Sequence, residues 1–198
     1  MSNPHGMLFV ATNVAPEDEA DFNQWYDHEH VEERVAIEGF LSGTRYRAVA
    51  AARRYLGLYE TASQETFTSA AYHAAFTRQT EWSVANLNRM IDPMRRVCAV
   101  THRHGRGQGA HLAMLTLPAG PDGAALQAWQ QHLQQVPGYI SSCLLTRMCH
   151  SARRCRAKPM PIVRCSPCCC CTVLMKPPAS RWPIGPPRHF MLMPSATR

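Results

Sequence analysis

Hydrophobic positions along the first hundred residues alternate between the two-residue period of strands and the 3.6-residue period of helices. Met7–Asn13 (MLFVATN) is a short apolar run that predicts a buried strand. Pro16 followed by Glu17, Asp18 and Glu19 marks a helix start, with acids beside the positive helix end. The helix is expected to run to about His30. Phe22, Trp25, Tyr26 and Glu29 fall at i, i+3, i+4 and i+7 and so share one face. An irregular stretch ends at Glu38-Gly39. Phe40–Ala48 and Tyr55–Glu60 then predict two antiparallel strands joined by a loop around Ala50–Arg53. Thr66–Thr77 predicts a second helix, and residues 80–95 an extra helical segment closed by Asp92-Pro93. Arg96–His102 predicts a fourth strand. The order β-α-β-β-α-β is that of a ferredoxin-like unit.

The pattern then starts again. After a Gly/Arg-rich linker at His104–Gly109, Ala113–Leu117 repeats the first strand and Gly123–Gln135 the first helix. Trp129 stands where Trp25 stands. Val136-Pro137-Gly138-Tyr139-Ile140-Ser141 repeats Ile37-Glu38-Gly39-Phe40-Leu41-Ser42. The second copy lacks a few residues after its helix and is not completed. The reading is an α+β protein of tandem ferredoxin-like repeats: a first repeat over residues 1–103, a linker over 104–110, the start of a second over 111–147, and an irregular tail over 148–198. One sheet with helices on one side leaves its other apolar face bare, and a second copy can cover it.

Composition divides at the same place. All fourteen acidic residues lie before residue 149, whereas the last fifty residues hold nine Lys/Arg, nine of the fifteen prolines and seven of the nine cysteines. The overall net charge of +7 therefore comes from the tail and says nothing about the folded body. The tail reads either as a disordered basic extension or as the product of a shifted reading frame. Cys165-x2-Cys168 runs directly into three more cysteines. Adjacent side chains cannot all converge on one ion, so no metal is expected there. The Arg-rich stretches lack the aromatic interleaving of a nucleic-acid surface, and no nucleic-acid partner is expected. Two scattered cysteines in the body, no basic-then-apolar leader and no run of 18 apolar residues predict a cytoplasmic protein without a membrane span.

Candidate chemistry concentrates in Trp25-Tyr26-Asp27-His28-Glu29-His30-Val31-Glu32-Glu33-Arg34. Imidazole is the natural acid/base group near neutral pH, and a neighbouring carboxylate fixes its tautomer. His30 reads either as a pocket group or as a surface residue near a helix C-terminus. His28, Glu29 and His30 are consecutive and so point in different directions, which argues against metal ligation. Trp25 and Phe22 fit packing at helical spacing. Arg45 and Arg47 alternate on one strand face with Tyr46 opposite. Glu60, at a strand end, is expected to be exposed.

The pattern W-Y-x-x-E-H-V-x-E-R, followed by G-F-L-S-x-x-R-Y and Y-L-G-L-Y-E, resembles the EthD-like branch of the dimeric α/β-barrel superfamily, over residues 6–103 and more weakly over 111–147. The resemblance implies a small-molecule cleft without a cofactor. Either acid/base chemistry on a small cyclic or aromatic compound (isomerase, dehydratase or cyclase type) or non-catalytic binding would take place in it. Carried over by position, His30 would be the catalytic group, oriented by Glu29 or Asp27, while Arg34, Tyr46, Tyr59 and Trp25 would be the substrate side. Relatives often have Pro where this chain has Glu32. Gln134 and Leu133 stand where the second copy would have His30 and Glu29, so any such site is single per chain. The expected partners are a small organic molecule and a second copy of the chain.

Overall fold

A computed structural model describes residues 4–117 and 120–147, together with the backbone of two strands at Cys170–Lys176 and Leu192–Met193. The strands are β1 (Gly6–Asn13), β2 (Phe40–Arg47), β3 (Tyr55–Thr61), β4 (Ile91–His104), β5 (His111–Leu117), β6 (Ser141–Arg147), β7 (Cys170–Lys176) and β8 (Leu192–Met193). The helices are α1 (Glu19–Trp25), α2 (Val31–Val35), α3 (Ala70–Thr77), α4 (Glu81–Asn88) and α5 (Gly123–Gln134). All eight strands form one sheet in the order β2-β3-β1-β4-β6-β7-β5-β8. The run β2-β3-β1-β4 is antiparallel throughout and is the order of a ferredoxin-like unit.

The sheet has two differently used faces because successive strand residues point to opposite sides. Met7, Phe9 and Ala11 of β1 join Leu56, Leu58, Cys98, Val100, Leu112, Met114 and Leu145 in an inner core. Leu8, between them, joins Phe22, Trp25, Tyr26, Phe40, Tyr55, Tyr59, Phe67 and Tyr72 in a core beneath the helices. β1 and β3 are buried on both faces, which is why MLFVATN and YLGLYE read as nearly continuous apolar runs.

Four differences from the expected elements have clear local causes. The first helix does not stop at His30. It passes through a π turn at Tyr26–His30 and continues as α2 to Val35. A π turn accommodates one extra residue and rotates everything after it. The buried side chains therefore run Phe22, Trp25, Tyr26, His30 and Arg34, not Glu29. The extra helical segment ends at Asn88, not 95, and β4 begins at Ile91. Asp92-Pro93 lies inside this longer strand, with Asp92 at φ 48°. The second helix is split. Ser69 caps α3 by accepting from the Tyr72 amide, so the preceding Glu65–Thr68 forms only a 3₁₀ turn. Finally, the tail is not irregular throughout, since Cys170–Lys176 pairs antiparallel with both β5 and β6. The stretch CCTVLMK is apolar and contains β-formers, and two open strand edges flank it. The rest of the tail lies outside the described residues. No helix among the described residues is long and apolar enough to cross a membrane.

Candidate functional site

Gly39 takes φ +90°, which closes the turn after α2 and starts β2. It feeds a strand whose alternate residues face different chemistry. Ser42, Thr44 and Tyr46 point to the inner face, whereas Arg45 lies over the Tyr26 ring at 4.1 Å on the helix side. The inner-face residues form one wall of a cleft. Its floor is Met7 and Leu58, and its far wall is the Gly105–Gln108 linker with Arg103 and Ser141–Cys143. The free volume is about 50 Å³. A single water needs on the order of 10–15 Å³ by this measure, so the cleft holds a functional group or a few waters, not a whole polycyclic molecule.

Glu60 forms the polar corner. Its Oε1 accepts from His5 Nδ1 and from an Arg103 guanidinium nitrogen, both at 2.6 Å. The side chain is only 13% exposed, so the expectation of an exposed strand-end carboxylate does not hold. The antiparallel β1–β3 register sets Met7 opposite Glu60, two residues from His5, and the long β4 carries Arg103 over the same end. Burial pushes the Tyr46 phenol up from its ordinary range, with Cys143 a second cause, and pushes the Cys143 thiol up to about 11. Glu60, Arg103 and Ser142 were missed at the sequence level because strand pairing, not spacing, brings them together.

The residues singled out from the sequence are divided by the thickness of the sheet. Tyr46 lines the cleft. Trp25, Tyr26, His30, Arg34 and Tyr59 lie on the other face, beneath the helices. Tyr59, expected beside Tyr46, instead donates its hydroxyl to that of Tyr26 at 3.1 Å. Trp25 is fully buried, and its indole N–H donates to Ser83 of α4 at 2.9 Å. His30 is 8% exposed, with ring centroids 4.4 Å from Trp25 and 4.9 Å from Tyr26. Its Nδ1 has no hydrogen-bond partner among the described residues. Burial first, then the positive charges of Arg34 and Arg45, lower its pKa to about 3.

The expected orientation of His30 by Glu29 or Asp27 is not made. The π turn carries Glu29 to the flank of the helix, where it accepts from Thr80 and Ser83 at 2.6 and 2.8 Å. Asp27 pairs with Arg45 at the surface. His30, Arg34, Trp25 and Tyr59 do share one buried region, with Arg34 only 3% exposed and its guanidinium 5.0 Å from the Phe76 ring. Among the described residues no group of three or more His, Cys, Asp or Glu comes together in a metal-binding arrangement.

No protein-family model and no curated protein matches the chain. Among solved structures, an anthrone oxidase-like protein aligns with a TM-score of 0.57 at 16% identity, covering 88% of this chain and 73% of its own. A protein of Fusobacterium nucleatum subsp. nucleatum, named as a candidate monooxygenase, aligns with a TM-score of 0.47 at 10% identity, covering 88% of this chain and 76% of its own. The first likeness, together with the strand order, establishes the fold: a ferredoxin-like α+β fold.

Proposed function

We propose that this protein binds a small organic molecule in the inner-face cleft. The observation that carries the reading is the grouping of a restrained carboxylate, Glu60, with Ser42, Thr44 and Ser142 around an apolar floor of Met7 and Leu58, beside Tyr46. An apolar pocket with a few convergent polar groups is the usual form of a ligand site. At about 50 Å³ the cleft takes one end of the ligand, and the rest extends past the Gly105–Gln108 linker. The test is a fluorescence titration with 1-anilinonaphthalene-8-sulfonate, followed by displacement with phenols, aromatic acids and anthrone. The last is included because of the fold neighbour's name. Thr44→Trp fills the cleft from its wall and is expected to weaken the dye at least tenfold while keeping the native circular dichroism spectrum. Equal affinity in both proteins removes the cleft as the site.

A second reading, acid/base catalysis through His30, draws on the unpartnered Nδ1. With a pKa of about 3 the imidazole is neutral at physiological pH and is a weak base in the ligand-free protein. Turnover unchanged by His30→Ala, once a substrate is in hand, ends this reading. The EthD-like assignment rests on the sequence resemblance of W-Y-x-x-E-H-V-x-E-R, G-F-L-S-x-x-R-Y and Y-L-G-L-Y-E.

The second half is read as another ferredoxin-like unit. Its strands β6, β7 and β5 stand in the same relative order as β2, β3 and β1, whereas β8 runs parallel to β5 where β4 runs antiparallel to β1. Gly138 repeats the positive φ of Gly39, at +79° against +90°. The Tyr139 amide donates to Val136 at 3.0 Å, as the Phe40 amide donates to Ile37 at 3.0 Å. On this reading the halves cover each other within one chain. Light scattering at the mass of a dimer would instead assign the cover to a second copy.

A further inference from the structure

Glu60 is anchored through one of its two oxygens. Oε1 accepts from both His5 Nδ1 and the Arg103 guanidinium, at 2.6 Å each, whereas Oε2 has no hydrogen-bond partner among the described residues. Each carboxylate oxygen can accept more than one hydrogen bond, so a fixed acceptor stays open at the polar corner of the cleft. Ser42 stands directly opposite Glu60 in the β2–β3 register, and Thr44 and Tyr46 follow at alternate positions, opposite Leu58 and Leu56. Alternate strand residues share a face. Among the described residues none of these three hydroxyls has a hydrogen-bond partner either.

The charges around the cleft decide what can meet these groups. Arg103 is held on Glu60, which offsets its charge. Arg106 of the linker is exposed, so water screens it. An anion inside the cleft would lie against the Glu60 carboxylate, and like charges at close range favour the neutral form of an acid. The acids already lining the cleft follow this rule. The Tyr46 phenol is raised, by burial first and by Cys143 second, and the Cys143 thiol is pushed up to about 11 by burial, with Arg103 opposing and Glu60 adding to the rise.

We propose that the cleft selects an un-ionised hydroxyl group carried on an apolar body. The ligand O–H donates to Oε2 of Glu60, the ligand oxygen accepts from Ser42, and the body rests on Met7 and Leu58. This rests on the reading of the cleft as the ligand site and adds which end of the ligand enters it, and in which protonation state. The titratable and charged groups around the bound hydroxyl are His5 just before β1, Tyr46 of β2, Glu60 of β3, Arg103 of β4, Arg106 of the linker and Cys143 of β6. Once ionised, the ligand oxygen has no hydrogen to give and meets Glu60 as a like charge.

The experiment titrates para-nitrophenol, whose yellow phenolate makes its ionisation visible near neutral pH, in the presence of the full chain, and measures phenol and anisole by competition. The wild type is expected to raise the ionisation midpoint of bound para-nitrophenol. It is expected to bind phenol about tenfold more tightly than anisole, which has no O–H to donate. In Glu60→Gln, His5 and Arg103 hold the amide oxygen, and the amide N–H stands where Oε2 stood. An acceptor has become a donor, so bound para-nitrophenol is expected to ionise at lower pH than it does free. Ser42→Ala is expected to weaken phenol about fivefold, and it tests the site even if Glu60→Gln does not fold. The proposal is overturned by a lowered midpoint in the wild type, by anisole binding as tightly as phenol, or by Ser42→Ala binding phenol unchanged. A raised midpoint that persists in folded Glu60→Gln also overturns it, because burial alone then keeps the phenol neutral. If the naphthalene dye binds the wild type and is lost in Thr44→Trp, yet no phenol binds, this proposal fails and the cleft remains the site. If Thr44→Trp binds dye and para-nitrophenol as the wild type does, the cleft and the proposal fail together.

Discussion

His30 makes the stability of this protein depend on pH in a direction opposite to that of a salt-bridged histidine. In the unfolded chain its imidazole titrates near the ordinary value of 6.5; in the folded protein burial and two nearby arginines hold it at about 3. Between those values the unfolded state binds the proton and the folded state does not, so stability rises with pH across this window and is lost as pH falls. The full difference is about 3.5 pH units, or about 5 kcal/mol, reached only near pH 3. Between pH 8 and pH 5 the loss comes to about 2 kcal/mol. The perturbation is His30→Phe, which places a ring of similar size among Trp25, Tyr26 and Tyr59 and removes the titration. The assay is urea unfolding followed by circular dichroism at pH 8, 6.5 and 5 and constant ionic strength. Carboxylates titrate alike in both proteins, so the difference between their pH profiles isolates His30. The wild type is expected to lose about 2 kcal/mol more than the variant on going to pH 5. Parallel profiles for the two proteins refute the reasoning, because they mean that the imidazole is protonated equally readily when folded.

Three further expectations rest on single contacts. A Cβ at Gly57 would sit 2.5 Å from the Tyr26 hydroxyl oxygen, so Gly57→Ala is expected to cost about 1–3 kcal/mol in urea unfolding, and adding Tyr26→Phe to recover part of it. Ser83→Ala leaves the buried Trp25 indole N–H without its acceptor and is expected to cost about 1–3 kcal/mol by the same assay; an unchanged midpoint would mean that another group accepts the proton. The Cys143 thiol, pushed up to about 11 by burial, is expected to react with iodoacetamide at pH 7.5 far more slowly than a free thiol, read residue by residue with peptide mass spectrometry, and labelling at the rate of a free thiol would contradict its burial.

Much of the fold was legible in local pattern. β1, β2 and β3 lie where the sequence pattern indicated, and β1 and β3, buried on both faces, read as continuous hydrophobic text. Gly39 and Gly138 were legible as matching turn positions because each needs a left-handed φ. The candidate site was legible only in its residue types. The motif around His30 identified a real buried cluster, but a regular helical period put Glu29 on the inward face, and one π turn replaced it with His30 and Arg34. A π turn is stabilised by what packs against the helix and leaves no reliable mark in the sequence.

The chain by itself determined the β-α-β-β-α-β order, the aromatic face of α1, the turn glycines and the cluster of ionisable residues after Trp25, because each depends on neighbours within a few positions. Tertiary structure alone decided which of those residues meet. Strand alternation sends Tyr46 and Tyr59 to opposite faces of the sheet, and the antiparallel register brings His5, Glu60 and Arg103 to one corner from distant parts of the chain. Burial of Arg34 is likewise a property of packing, since nothing in the order of the residues says which side of the last helical turn will face the sheet.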